Sequence, residues 1–233
     1  LPNYNVFNER RYFEPGGSIT PWEVCGKKVG VLVCEDIWFH AGFKYSADYE
    51  RDPVLELEAH GIDLLLNLSA SPYFFQKPEV RLAICSKAAQ SLKCPVVMCC
   101  QVGANTELIF DGYSFAVDKK GDLKRLAPGF KEADLVVDLK ALNGSFSYTW
   151  NEQEDLLNAL ILGLKDYFSK NGFSKACLGL SGGIDSALVA YIAMHALGKD
   201  NVLAVMLPSK FSSKESFEDA SFLIKNLQIK DLN

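Results

Sequence analysis

Residues Gly179 to Ser186 read G-L-S-G-G-I-D-S, a double-glycine loop between an apolar run and a helix-forming one. Ala176–Leu180 has the unbroken apolar character of a buried strand. Asp185 and Ser186 open the stretch Ala187–Met194, and Gly198 stands where a helix C-cap belongs. Strand, loop and helix in that order predict an α/β unit with a pocket for an anion. Gly182 and Gly183 let the backbone approach the ligand, and the helix start turns its free N–H groups and positive dipole end toward it. Ser181 and Ser186 add hydroxyl groups, and Asp185 is a candidate ligand for a Mg²⁺ bridging phosphate oxygens. A Walker loop needs G-x-x-x-x-G-K-[ST] and a dinucleotide fingerprint needs G-x-G-x-x-G; neither occurs here. An ordinary turn explains the glycines but not the two serines and the aspartate. Val202–Leu207 reads as the next parallel strand after a right-handed crossover. Beyond it, Ser212 and Glu215 predict a capping box, with Phe217, Ala220, Ile224 and Leu227 on one helical face as core.

A second candidate site lies near the other end. Val29–Val33 is a continuous apolar run that ends at Cys34 and is followed by Glu35, Asp36, Ile37 and Trp38. A thiol there is placed like a nucleophile on a strand-to-turn elbow. The competing reading is a small core hydrophobe, since cysteine is among the most buried residue types and this chain has seven. Carboxylates at 35 and 36 would raise the thiol pKa, so a nucleophilic Cys34 needs a cation or a base from elsewhere.

The segment V-L-V-C-E-D-I-W resembles the nucleophile segment of the nitrilase superfamily in its glutamine-hydrolysing branch, and S-G-G-I-D-S resembles the loop of the ATP pyrophosphatases. Leu1-Pro2-Asn3-Tyr4, Asn67-Leu68-Ser69-Ala70-Ser71-Pro72, Gly103–Gly112 and the P-S-K-F-S-S that follows Leu207 match in the same order. Together they resemble one family, the glutamine-dependent NAD⁺ synthetases. The resemblance implies Cys34 as glutaminase nucleophile, with the Glu35 N–H in an oxyanion hole and Tyr4, Ser71 and Lys77 holding glutamine. Trp38 is either a wall of that pocket or a core aromatic. Gly179, Leu180, Ser181, Gly182, Gly183, Ile184, Asp185 and Ser186 would bind ATP, with Mg²⁺ on Asp185. The implied substrates are glutamine, ATP and nicotinic acid adenine dinucleotide, and the implied assembly is a homo-oligomer. The family's catalytic Glu and Lys belong upstream of Leu1, and its synthetase domain continues past Asn233. The expectation is therefore an internal fragment, inactive alone, of a chain about twice as long.

The implied fold is α/β: the latter half of a nitrilase-like αββα sandwich (1–148), then the start of a parallel-sheet ATP-pyrophosphatase domain (149–233). Along the first part, helices are predicted at Pro53–His60 and Pro78–Leu92, and strands at Ile62–Leu68 and Pro95–Val102. Tight turns at Asp111-Gly112 and Lys120-Gly121 then predict a meander. Thr149 and Glu152 predict a capping box for a helix with Leu156, Leu157, Leu160, Ile161, Leu164 and Phe168 on its buried side. A net charge of −5 with no basic run gives no reason to expect nucleic acid or membrane as a partner. Seven cysteines without C-x-x-C spacing, and three histidines without ligand spacing, predict reduced thiols in a cytoplasmic protein and no zinc. Two rival readings stay open: a nitrilase-type amidase fused to an ATP pyrophosphatase with another carboxylate acceptor, and a non-catalytic nucleotide-binding module.

Overall fold

The computed structural model describes residues 8–42, 50–142, 144, 146–207 and 213–232. Tyr4 and the Pro208–Ser212 stretch lie outside the described residues. In chain order the strands and helices are β1 (Trp22–Val24), β2 (Lys27–Val33), α1 (Pro53–His60), β3 (Leu64–Ser69), α2 (Lys77–Leu92) and β4 (Val96–Cys100). Then come β5 (Val102–Asn105), β6 (Leu108–Asp111), β7 (Phe115–Val117), β8 (Leu123–Leu126), α3 (Glu152–Lys170) and β9 (Ala176–Gly179). The chain ends with α4 (Ile184–Leu197), β10 (Val202–Val205), α5 (Lys214–Leu227) and β11 (Lys230–Leu232). They form two compact units: Leu1–Val102 with Phe110–Glu152, and Gly103–Ile109 with Gln153–Asn233.

The first unit is a mixed six-stranded sheet in the order β1-β2-β3-β4-β7-β8. Its middle strands β2, β3 and β4 are parallel, as βαβ crossovers through α1 and α2 require. α1 forms because Asp52 caps it, accepting from Val54 and Leu55 N–H, with Pro53 in the first turn and Gly61 at φ 63° ending it. Leu32, Leu65, Val96 and Met98 turn to the helical side and pack with Val54, Leu57, Ile84 and Ala88. Gly30 is required on that face, since a Cβ there would stand 2.8 Å from Leu57 Cδ1. On the opposite face the register aligns Val33 with Leu68 and Leu68 with Cys99. Val33 and Leu68 are 59% and 49% exposed there. One helical layer on one sheet, with an apolar face left bare, is two layers of a four-layer sandwich.

The strand expected over Pro95–Val102 is divided. Gln101 donates its N–H to Ser69 O, whereas its carbonyl accepts from Gly112 N. The chain thus leaves the large sheet at Gln101, and β5 pairs with β6 as a separate two-stranded ribbon.

In the second unit β9, β10 and β11 form a parallel sheet in the order β11-β10-β9. Val202, Ala204 and Met206 pack with Ala190, Ala193, Ala220, Ile224 and Leu227 from α4 and α5. Phe217, expected on this face, is 38% exposed. The capping residue of α5 is Ser213, whose Oγ accepts from Ser216 N at 3.1 Å, one position after the expected Ser212. α3 starts at Glu152, so no Thr149–Glu152 capping box forms, and Glu152 Oε1 accepts instead from Gln76 Nε2 at 2.7 Å. The buried ridge of α3 also departs from expectation. Leu156 and Leu160 are 46% and 42% exposed, while Asp155 and Ala159 are buried. The 103–109 hairpin meets this helix: Asp166 Oδ2 accepts from Ala104 N at 2.7 Å, and Gly163 lies against Ile109. Gly163 leaves room for that hairpin, and of the expected ridge Leu156 and Leu160 are left exposed while Leu164 packs on the core of this unit.

Candidate active site

In the first unit, the chain turns out of β2 on a residue that sterics disfavour. Cys34 has φ 51°, the left-handed region that a side-chain-bearing residue enters at a cost of about 1–3 kcal/mol. The elbow is held from both sides. Asp36 Oδ2 accepts from Val33 N at 2.9 Å, and Asn67 Nδ2 donates to Cys34 O at 3.1 Å. Ser69 Oγ, two residues along β3 on the same face, lies 3.7 Å from Cys34 Sγ as a donor. Burial pushes the Cys34 thiol up; the Ser69 hydroxyl opposes this, Glu35 adds to it, and Lys77 and the Ala70 N–H oppose it. Burial likewise raises the Asp36 carboxyl, against the Val33 N–H.

Lys77 opens α2, is 5% exposed, and places Nζ over two rings, 4.1 Å from the Trp38 centroid and 4.4 Å from that of Phe74. Loss of hydration, then the nearby Arg81 charge, lower its ammonium from 10.5 to about 8. A cation held between aromatic faces in a dry site is a ready partner for an anion. Trp38 is at once a core aromatic and the floor under this ammonium. Glu35 and Ser71 are buried beside these residues in sequence, Glu35 in the turn with Cys34 and Ser71 two residues after β3.

Cys34, Glu35, Trp38 and Lys77 therefore share one electrostatic neighbourhood. Asn67, Ser69, Ala70 and Asp111 stood in the sequence only within matching segments, with no site role given them, and Phe74 and Arg81 were not singled out. A signal for the first two did exist: two polar residues at i and i+2 inside the run L-L-L-N-L-S put both on one face of a strand.

In the second unit the loop after β9 is internally bonded. Ser186 Oγ donates to Gly183 O at 2.9 Å and accepts from Ser181 N at 3.2 Å. Ser181 Oγ lies 3.1 Å from Ser186 Oγ and accepts from Gly183 N at 3.3 Å. Gly183 is the N-cap of α4, and Gly182 has φ 81°. Leu180 turns into the core and its N–H bonds Val205 O, so it serves the sheet. Ile184 and Asp185 are exposed in the first turn of α4. Among the described residues, no three His, Cys, Asp or Glu side chains cluster as a metal site. Asp185, an exposed carboxylate beside the loop, is of the donor type that would hold Mg²⁺ alongside phosphate oxygens and water. No helix among the described residues is long and apolar enough to cross a membrane.

Two folds in succession, one ending its second strand on a clamped thiol and the other joining strand to helix through a glycine-serine loop, define a two-part α/β protein. Residues 1–143 match the carbon-nitrogen hydrolase family, and the chain belongs to it; residues 156–233 match NAD synthase. Over nearly its whole length the chain is similar to glutamine-dependent NAD(+) synthetases. It is 45% identical over 233 residues to that of Synechocystis sp., covering 97% of this chain and 42% of the relative. The Thermotoga maritima relative is 40% identical over 266 residues, covering 98% and 45%. A solved structure from Acinetobacter baumannii, in complex with adenosine diphosphate, superposes with TM-score 0.87 at 36% identity, covering 99% of this chain and 43% of that one. The chain thus spans less than half the length of these relatives.

Proposed function

We propose that this chain carries the glutamine-hydrolysing site and the ATP loop of a glutamine-dependent NAD⁺ synthetase, with the boundary between the two parts near residue 148. The observation that carries the reading is Cys34 on its left-handed elbow, with donors from Ser69 and Ala70 and the Lys77 ammonium beside it. Glutamine would enter with its α-carboxylate on Lys77, and Tyr4 and Ser71 would hold the rest of the molecule. A general base would take the Cys34 proton, the thiolate would attack the side-chain amide carbon, and as the C–N bond breaks that base would return the proton to the nitrogen, which leaves as ammonia. Water then hydrolyses the glutamyl thioester, giving glutamate and restoring the thiol. The Glu35 N–H would stabilise the oxyanion, a role worth about 3 kcal/mol in comparable sites.

At the second site Gly179–Ser186 would cradle the phosphates of ATP, as the ADP complex of the Acinetobacter relative supports. The carboxylate of nicotinic acid adenine dinucleotide attacks the α-phosphorus and pyrophosphate departs. Ammonia then displaces AMP to leave the amide of NAD⁺. Mg²⁺ held at Asp185 would neutralise phosphate charge. A cytoplasmic homo-oligomer is part of the same reading.

The test is NAD⁺ formation by the full-length protein with glutamine, ATP, Mg²⁺ and nicotinic acid adenine dinucleotide. Cys34→Ala should abolish glutamine-dependent synthesis, and added ammonium should restore it. Glutamine-dependent synthesis by the variant would reduce Cys34 to a packing thiol. Pyrophosphate release with a different carboxylate, and no NAD⁺, would move the assignment to another acceptor.

A further inference from the structure

One buried ion pair has no part in the chemistry just described. Arg81 Nη1 donates to Asp111 Oδ1 at 2.9 Å, and Nη2 donates to Asp111 Oδ2. Arg81 is 1% exposed and Asp111 is 0% exposed. Nη2 also reaches Gly112 O at 3.5 Å. Such a pair is weak evidence for stability, because desolvation of both charges offsets their attraction and apolar residues of similar volume often do as well. Its position is more telling. Arg81 lies one helical turn after Lys77 on α2, so the two cations leave the same face. Lys77 is buried against Trp38 and Phe74, and the charged or titratable groups that act on it are Cys34, Glu35, Arg81 and Asp111. Arg81 opposes its charge, while Asp111 favours it. The two-point contact also ties the first turns of α2 to Asp111-Gly112-Tyr113, where φ is 69° at Gly112 and 53° at Tyr113.

We propose that Arg81 and Asp111 are a positioning pair for the glutamine site: they fix Lys77 between Trp38 and Phe74 and cancel the second buried cation that would otherwise oppose it. The proposal rests on the reading of Lys77 as the partner of the glutamine carboxylate. With Asp111 uncharged, Arg81 stands unopposed and Lys77 releases its proton at lower pH. With both charges gone, that repulsion vanishes but Lys77 loses its mechanical support.

The experiment measures kcat and KM for glutamine hydrolysis by the full-length protein from about pH 6.5 to 9, a range that brackets the Lys77 titration near 8. A second readout is the glutamine concentration that half-protects Cys34 from iodoacetamide. Asp111→Asn should raise KM and half-protection about tenfold at the alkaline end and less at the acid end, with kcat changed far less. The double variant Arg81→Met/Asp111→Leu keeps the volume filled and stays measurable if the single variant fails to fold. It should show a raised KM without the added pH dependence. Wild-type KM and pH profile in the double variant would overturn the proposal, as would equal loss of kcat and kcat/KM in Asp111→Asn at every pH. Lys77→Met separates the layers. A raised KM in Lys77→Met beside unchanged pair variants overturns the pair alone. Unchanged KM in Lys77→Met overturns the carboxylate reading together with the pair.

Discussion

The three glycines of the Gly179–Ser186 loop should respond very differently to alanine. Gly182 sits at φ 81°, and a Cβ there would meet the Ser216 backbone, with its Cα at 2.8 Å. The neighbouring contact is main chain at the start of α5, so it cannot move aside as a flexible side chain would. Left-handed alanine costs about 1–2 kcal/mol, and forcing an extra carbon into filled space adds about 1–3 kcal/mol. The smaller unfolded-state entropy of alanine returns about 0.4–1 kcal/mol, leaving a net loss of about 3 kcal/mol. Gly183 has no positive φ and its Cβ would meet only Ser181 Oγ at 3.4 Å, an ordinary contact. Gly179 would meet nothing within 4 Å. Gly179→Ala should therefore lie within about 0.5 kcal/mol of the parent or above it, and Gly183→Ala, at the N-cap of α4, should lose no more than about 1 kcal/mol. Thermal unfolding of the second unit, followed together with nucleotide binding, reads the ranking. Gly182→Ala should fall by about 12–24 °C, whereas the other two stay much closer to the parent. Equal stability of Gly182→Ala and Gly183→Ala would refute the argument from backbone approach.

Three further outcomes follow from the first unit. Lys77 is lowered from 10.5 to about 8, so between those values the unfolded chain binds more protons and stability rises with pH. Lys77→Met should lack that rise, which is at most on the order of 3 kcal/mol, in denaturant titrations against pH. The buried thiols have raised pKa values and give the opposite slope above the ordinary thiol value of 9.0, so the variant must be compared with its parent. Thiol labelling of the native chain should modify the exposed Cys25, Cys99 and Cys177 quickly and Cys34 more slowly. Cys85, Cys94 and Cys100 should react only on unfolding, because burial pushes Cys94 to about 12 and Cys100 to about 11 and raises Cys85 as well. At Asn67, replacement by Asp sets an acceptor against Cys34 O and should cost about 1–3 kcal/mol more than replacement by Leu, measured by chemical denaturation.

Local chemistry in the sequence was enough for the α/β alternation, the Pro53 and Gly61 helix boundaries, the strand–loop–helix around Gly179–Ser186 and the thiol at the end of β2. Each depends on residues within a few positions of one another, where steric preference and hydrogen-bond geometry act directly. Tertiary structure decided the rest. Leu156 and Leu160 of α3 are exposed, while a hairpin from sixty residues earlier packs on Gly163 and bonds Asp166, a competition that helical periodicity cannot register. β4 ends at Gln101 because its carbonyl finds Gly112 rather than a continued sheet partner. The surroundings of Cys34 likewise come from separate segments: Asn67 and Ser69 from β3, Lys77 and Arg81 from α2, Asp111 from β6. A candidate nucleophile can be picked out by its place on one strand. Its ionisation and its holding bonds are set by charges and donors thirty to eighty residues away, and only the packed chain brings those together.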